Sequence, residues 1–190
     1  MKNHFYAMMS RMKNIYRWGL MRNTRSENLS EHSLEVAMIA HALCVIKNKK
    51  FGGSINPERT AVTAMFHDTS EIITGDLPTP IKYYNAQIKN AYKEIESVAE
   101  QRLTDMLPDY MQESFAEIYN PDEETKQIIK AADKLSALIK CIEEVNCGNR
   151  EFSVAEKTTR KAIADLKMPE VDVFMQDFIP SFYLSLDEQN

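Results

Sequence analysis

Apolar residues recur three and four positions apart almost from one end of this chain to the other. That spacing gathers them on one face of a helix, and it is the wrong period for strands. The punctuation agrees. With 5 glycines and 7 prolines in 190 residues, hairpin signals are nearly absent. An all-α bundle follows as the expected fold class. Hydrophobic residues make up 44% of the chain, enough for one domain over residues 1–190 with a sizeable core.

Caps and breakers divide the pattern. A first helix carries Phe5, Met8, Met9, Met12, Ile15 and Tyr16 and stops near Trp18-Gly19. A second opens at Ser30 as the capping residue, with Leu29 and Leu34 spaced as a hydrophobic staple, and runs to about Asn48. Phe51-Gly52-Gly53 is a loop, and Asn56-Pro57-Glu58 starts a third helix. That helix carries Val62, Met65, Phe66, Ile72 and Ile73 as far as Gly75. After the proline-stiffened loop from Gly75 to Pro80 comes an amphipathic helix with Ile88, Tyr92, Ile95, Val98, Ala99, Leu103 and Met106, ended by Pro108. Asn120-Pro121-Asp122 opens the next, which Gly148 ends. Two further helices are expected, one around Phe152 to Leu166 and one around Val171 to Leu184, the last kinked by Pro180. The Met, Phe and Ile stripes read as core, and Lys47 to Lys50 as a solvated helix end.

Charge and cysteine usage narrow the partners. A net charge of -5 argues against a nucleic-acid polymer, which wants a basic stripe, but leaves room for a small anion. Cys44, Cys141 and Cys147 form no CxxC pair and read as reduced, buried thiols. The first residues show no signal-peptide core, and the apolar run from Val36 to Ile46, interrupted by His41, is short for a bilayer. A soluble cytoplasmic protein with no membrane partner is the expectation.

Against this apolar background His67-Asp68 stands out, because buried charge is costly unless paired or bound to metal. On a helix the two side chains lie about 100° apart and can lean toward one ion. His32 and Asp133 complete a His…His-Asp…Asp set that could hold one divalent cation. His32 falls in the first turn of its helix, where the dipole favours the neutral imidazole a metal needs. Asp133 follows Ala131-Ala132, small residues that let another helix approach. Each has a plainer reading alone: a surface histidine, a chance pair, an aspartate bridged to Lys130 or Lys134. His41, on the opposite side of the His32 helix, reads as a core histidine, and His4 as exposed. Two imidazoles with two carboxylates suit Mn²⁺, Co²⁺, Fe²⁺ or Zn²⁺ better than Ca²⁺.

Other residues add chemistry. Glu71, four residues after His67, is placed to exchange a proton with a water or a leaving group. Asp76 lies in the stiff loop and is a second candidate. Arg17 offers a planar fork to phosphate, and Trp18, the sole tryptophan, a rigid wall for a sugar or base. Arg22 and Arg25 add positive charge ahead of His32.

His32…His67-Asp68…Asp133 on helices resembles the HD-domain metal-dependent phosphohydrolases. The strings Arg17-Trp18, Glu27 to Ser33, Phe66 to Glu71, Thr74 to Pro80 and Pro180 to Glu188 look like the bacterial YfbR-type 5′-deoxynucleotidases. The resemblance covers nearly the whole chain and is strongest from Arg17 to Pro80. It implies a single HD-domain helical bundle with the metal site between core helices. It implies hydrolysis of deoxyribonucleoside 5′-monophosphates by in-line attack of a metal-activated water. It further implies one divalent ion (Co²⁺, Mn²⁺ or Cu²⁺) and a homodimer. His32, His67, Asp68 and Asp133 would be the metal ligands. Arg17 would orient the phosphate, with Glu71 the essential carboxylate outside the metal shell. Arg17, Trp18, His32, Asp68, Asp76, Leu77, Pro78, Thr79 and Asp133 would contact the substrate. Asp76 is the candidate acid and Glu71 the candidate base, with exchange of the two left open. The rival readings are an HD phosphohydrolase acting on a triphosphate, cyclic nucleotide or alarmone, and a non-catalytic helical scaffold.

Overall fold

The structure is a computed structural model that describes residues 3–82 and 84–190. Its described residues form ten α-helices and no named strand. In chain order α1 is Phe5–Met9, α2 Leu29–Phe51, α3 Pro57–Met65, α4 Glu71–Thr74 and α5 Thr79–Lys82. Then come α6 Ala86–Thr104, α7 Asp109–Tyr119, α8 Glu123–Asn146, α9 Ser153–Ala164 and α10 Pro169–Asp177. The all-α expectation holds.

Two long helices, α2 and α8, pack on each other at the centre, with α3 and α10 against α2 and α9 against α8. Their shared core contains Val36, Ala40 and Leu43 of α2, Leu135, Leu138 and Ile142 of α8, and Ile163, Val171 and Phe174. Ala131 and Ala132 are wholly buried, which is what close helix approach beside Asp133 requires. A second core joins Phe5 to Leu103, Leu107 and Phe115 across α1, α6 and α7, with the Phe5 and Phe115 rings edge to face at 4.7 Å. Ala64 belongs to the first core and Phe66 packs against the second. The end of α3 therefore sits at the seam between the two, and His67-Asp68 follows it directly.

Several expectations need correction. The first helix is shorter than its periodicity suggests: α1 gives way to a 3-10 turn over Ser10–Asn14. From Ile15 the chain is extended and pairs Tyr16 with Asn28 in an isolated antiparallel bridge. The cap of α2 is Asn28, not Ser30. Its side chain accepts from the Ser30 and Glu31 amides, and Glu31 reaches back to the Asn28 amide. Leu29 is buried and Leu34 is 53% exposed, so the two form no staple. His41 is exposed, not core; it shares a solvent-facing stripe with Leu34, Met38 and Val45. Val62, Met65, Ile73, Ile95 and Val98 likewise face outward. Cys44 and Cys141 are buried as expected, but Cys147 is exposed. Lys47 is not merely solvated: it bridges Glu124 at 2.9 Å and the buried Glu170 at 3.4 Å. Helix α7, after Pro108, was not anticipated, because Pro108 reads as a terminator yet sits where it can begin the next helix.

Pro180 does interrupt the last helical segment. Helix α10 ends at Asp177 and a 3-10 turn resumes over Ile179–Tyr183. Helix α2, with 23 residues, is long and apolar enough to cross a membrane by length and composition. Here it forms the middle of the core, with Val36, Ala40 and Leu43 wholly buried.

Candidate active site

The largest local departure from the sequence reading lies at the site itself. His67 and Asp68 are not on a helix. Helix α3 stops at Met65, residues 66–70 form turns, and α4 begins at Glu71. The break denies the Ala64 carbonyl the amide four residues on, and it takes the His67 amide at 3.3 Å instead. It also accepts from the His67 ring, whose Nδ1 lies 2.7 Å away. Nδ1 thus carries the proton and Nε2 is bare.

His32, in the first turn of α2, is oriented in the same sense. Its Nδ1 lies 3.1 Å from the Ser136 hydroxyl and 3.3 Å from Glu27 Oε1. Its Nε2 points the other way, 3.6 Å from Asp68 Oδ2 and 3.2 Å from Asp133 Oδ1. His67 Nε2 also faces Asp68 Oδ2, at 3.1 Å. Both Nε2 atoms are buried without a hydrogen-bond partner. One ligand atom each from His32, His67 and Asp68 lies within 4.8 Å of the others. Asp133 joins from α8 through His32, with its side chain 40% exposed. Two unpartnered imidazole nitrogens, each with its second nitrogen anchored, beside two carboxylates fit a divalent cation.

The surrounding charges ask for the same thing. Burial pulls the His32 proton affinity down, yet the facing carboxylates of Asp133, Asp68 and Glu27 lift its pKa well above the usual value. The carboxyl of Asp68 resists burial and stays well below the ordinary range, held by His67 and His32. This differs from the helix-dipole expectation of a neutral His32. Three carboxylates outweigh one helix end, so the cage holds positive charge as a proton or as a metal.

Arg17 reaches into the same cluster from the extended segment. It lies 3.4 Å from Glu27, 3.5 Å from Asp68 and 3.9 Å from Asp133, with its side chain 12% exposed. Trp18 donates from Nε1 to Glu27 Oε2 at 2.9 Å and lays its ring against Phe152 at 5.3 Å. Arg22 and Arg25 do not converge here. Arg22 turns outward to Glu151, and Arg25 offers its main chain to Glu144 and Lys140.

Glu71 opens α4 and is buried, with Oε2 unpartnered and Oε1 3.9 Å from Lys82. Burial, then Asp68 and Asp76, push its carboxyl up to about 9. Asp76 is half-buried, and burial raises its carboxyl too, against the pull of Arg17. Leu77 and Pro78 are partly exposed beside it. Thr79 begins α5, and its side chain lies outside the described part of the structure. A cavity of about 280 Å³ adjoins His67 and Asp133, walled by Phe66, Tyr119 and Ile129.

The sequence reading gave no role to Glu27, Ser136, Lys82 or Tyr119. Glu27 and Ser136 hold the far side of His32, and Tyr119 meets the Thr69 hydroxyl at 2.9 Å. Of these only Glu27 had a signal, lying within one of the strings that carry the resemblance.

Comparison with known proteins follows the geometry. The family described as 5′-deoxynucleotidase YfbR-like matches residues 4–182. A 5′-deoxynucleotidase of Citrobacter koseri is 54% identical over 98% of this chain and 96% of its own. One from Vibrio vulnificus is 55% identical over 98% of each chain. Among solved structures, an HD-domain phosphohydrolase of Listeria innocua shares the fold with a TM-score of 0.82 at 21% identity, covering 98% of this chain and 91% of its own. A cyanophage S-2L HD phosphohydrolase, bound to dA and one catalytic Zn²⁺ ion, matches with a TM-score of 0.64 at 21% identity over 93% and 95%. The chain belongs to the YfbR-like 5′-deoxynucleotidase family of HD-fold phosphoric monoester hydrolases.

Proposed function

We propose that this protein is a metal-dependent 5′-deoxynucleotidase, cleaving deoxyribonucleoside 5′-monophosphates to deoxynucleoside and phosphate, and that residues 1–190 act as one HD domain. The observation that carries the reading is the pair of buried, unpartnered Nε2 atoms on His32 and His67 facing Asp68, with Arg17 alongside. His32, His67, Asp68 and Asp133 are the residues that would hold the metal. A divalent cation there supplies a Lewis acid that offsets phosphate charge and makes water a better nucleophile. Mn²⁺, Co²⁺ and Cu²⁺ are the ions to try first, a choice that rests on the family resemblance.

The chain's own groups do the rest. Arg17 orients the phosphate, since its guanidinium is drawn among Asp68, Asp133 and Glu27 and presents fixed donors at that spot. Glu71 keeps a proton up to about pH 9, so it is the group with a proton to give the departing 5′ oxygen. Asp76, the less buried of the two, takes the proton from the attacking water. This exchanges the two roles first expected from the sequence. Trp18 walls the sugar, and the loop that carries Leu77 and Pro78 contributes to the nucleotide pocket, as the resemblance implies. A ring filling the space of a 2′-hydroxyl penalises ribose by contact and by leaving that hydroxyl unpaired. A homodimer in the cytoplasm completes the reading, on the same resemblance.

The deciding experiment is phosphate release from paired dNMP and NMP substrates, with the metal varied and Glu71→Ala as control. Cleavage of dNMPs only with added metal, abolished in the variant, supports the reading. Equal turnover of ribonucleotides, or turnover untouched by Glu71→Ala, overturns it.

A further inference from the structure

Glu27 sits behind the site, on the side away from the reacting groups, and its side chain is 13% exposed. Its two oxygens serve different residues. Oε1 lies 3.3 Å from His32 Nδ1 and 3.4 Å from Arg17 Nε, while Oε2 accepts from Trp18 Nε1 at 2.9 Å. One carboxylate thus touches a metal ligand, the phosphate-orienting arginine and the sugar wall.

Trp18 needs such a hold. Its backbone has φ 59°, in the left-handed region that bulky residues avoid. Such a conformation persists only where the surroundings fix it. Here the Arg17 amide donates to the Glu27 carbonyl at 3.0 Å, the Asn23 side chain donates to the Trp18 carbonyl at 3.3 Å, and Tyr16 pairs with Asn28. These bonds set the main chain. The indole itself is set by the tilted Phe152 ring beside it and Glu27 at its N–H.

We propose that Glu27 is a positioning residue that ties the pose of Trp18 to occupancy of the metal position on His32, so that cation binding and sugar discrimination are coupled through one carboxylate. The proposal rests on the deoxynucleotidase reading for its substrate and on the geometry alone for the coupling. The physical route is short. When a cation takes the place of the Nε2 proton, the His32 ring is held in one orientation and its Nδ1–H carries Oε1 with it. Oε2 belongs to the same rigid carboxylate, so the indole N–H must follow or lose its bond. Arg17 is displaced with it, which brings the phosphate donor into register at the same time.

The test uses the full chain, with Zn²⁺ as the probe because its closed d shell does not quench indole emission. Trp18 is the only tryptophan, so intrinsic fluorescence reports on it alone. In the wild type, Zn²⁺ titration should change the emission with the same midpoint as calorimetric binding. In Glu27→Gln the emission change should vanish, and Zn²⁺ affinity should fall about 10- to 100-fold. The dNMP-to-NMP ratio of kcat/KM should drop by a similar factor. Wild-type emission that ignores Zn²⁺ overturns the coupling, and that arm does not depend on the variant folding. So does a Glu27→Gln protein with the wild-type sugar ratio or the wild-type emission response. A wild type that cleaves no dNMP overturns the substrate reading instead, and leaves the emission and affinity arms to decide the coupling.

Discussion

Glu71 and Glu144 are both buried glutamates, and they are opposites. Glu144, on α8, accepts from the Thr24 amide and hydroxyl, the Arg25 amide, Asn149 and Lys140. Burial works against its charge, but these donors hold its carboxyl down at about 2. Glu71 has one oxygen without any partner, and burial with two neighbouring aspartates raises it to about 9. The first is a fastener: it pins the segment that carries Arg17 and Trp18 to the core helix. The second is left unsatisfied in a protein that satisfies Glu144 five times over. Unmet hydrogen-bonding capacity at a buried acid is where a fold keeps its reactivity.

The comparison is broken most severely by swapping the expected outcomes. Glu71→Gln keeps the shape and removes the transferable proton. It should lower kcat by about 10²- to 10⁴-fold while the melting temperature stays level, as steady-state kinetics beside a thermal melt would show. Glu144→Ala should do the reverse: a loss of roughly 3–5 kcal/mol of stability by urea titration, because Lys140 and several amides lose their acceptor. If Glu71→Gln unfolds the protein, or Glu144→Ala is as stable as the wild type, the division into fastener and reagent fails.

Acid sharpens the same contrast. Glu144 has a folded pKa below its unfolded value, so its contribution is complete above about pH 4.5 and lost as the pH falls toward about 2. That shift corresponds to about 3 kcal/mol. Glu71 has the opposite sign. Its folded pKa lies above its unfolded value, so metal-free stability should decline as the pH rises from about 4.5 through about 9. Unfolding measured across pH in chelator should show both slopes. Glu71→Gln should flatten only the alkaline one.

Metal should act on one region alone. Saturation at a hundredfold over Kd raises stability by about 2.7 kcal/mol. The gain should appear in the wild type as a higher melting temperature and vanish in His32→Ala. The smallest effect belongs to Arg22→Ala. That side chain is 94% exposed against Glu151, and its loss should cost under about 1 kcal/mol by urea titration.

How much of this was legible in the sequence depends on what each residue had to reveal. The helical period exposed α2, α6 and α8, because each buries one face along most of its length. It misjudged the outward stripe of Leu34, Met38, His41 and Val45, since apolarity at helical spacing does not say which side the core lies on. His32, His67, Asp68 and Asp133 could be picked out by chemistry as a candidate set, and the structure brings the four side chains close together. The break after Met65 was not, because no glycine or proline marks it; tertiary packing of Phe66 into a different core from Ala64 imposes it. Glu144 was invisible for another reason. Most of its partners are main-chain amides and side chains brought near by the fold, so little in the local sequence distinguishes it from a surface acid.

The end of α3 has one last consequence. A helix that stops early strands a carbonyl, and ordinarily water or a cap takes it up. At Ala64 the oxygen is shared by the His67 amide and the His67 ring, and the choice of tautomer is made by where the helix stops. Chain termination and the choice of tautomer are therefore one event here. A substitution that let α3 run on for another turn would turn that oxygen along the helix axis to the amide of residue 68 and hand the imidazole back its freedom to carry the proton on the other nitrogen.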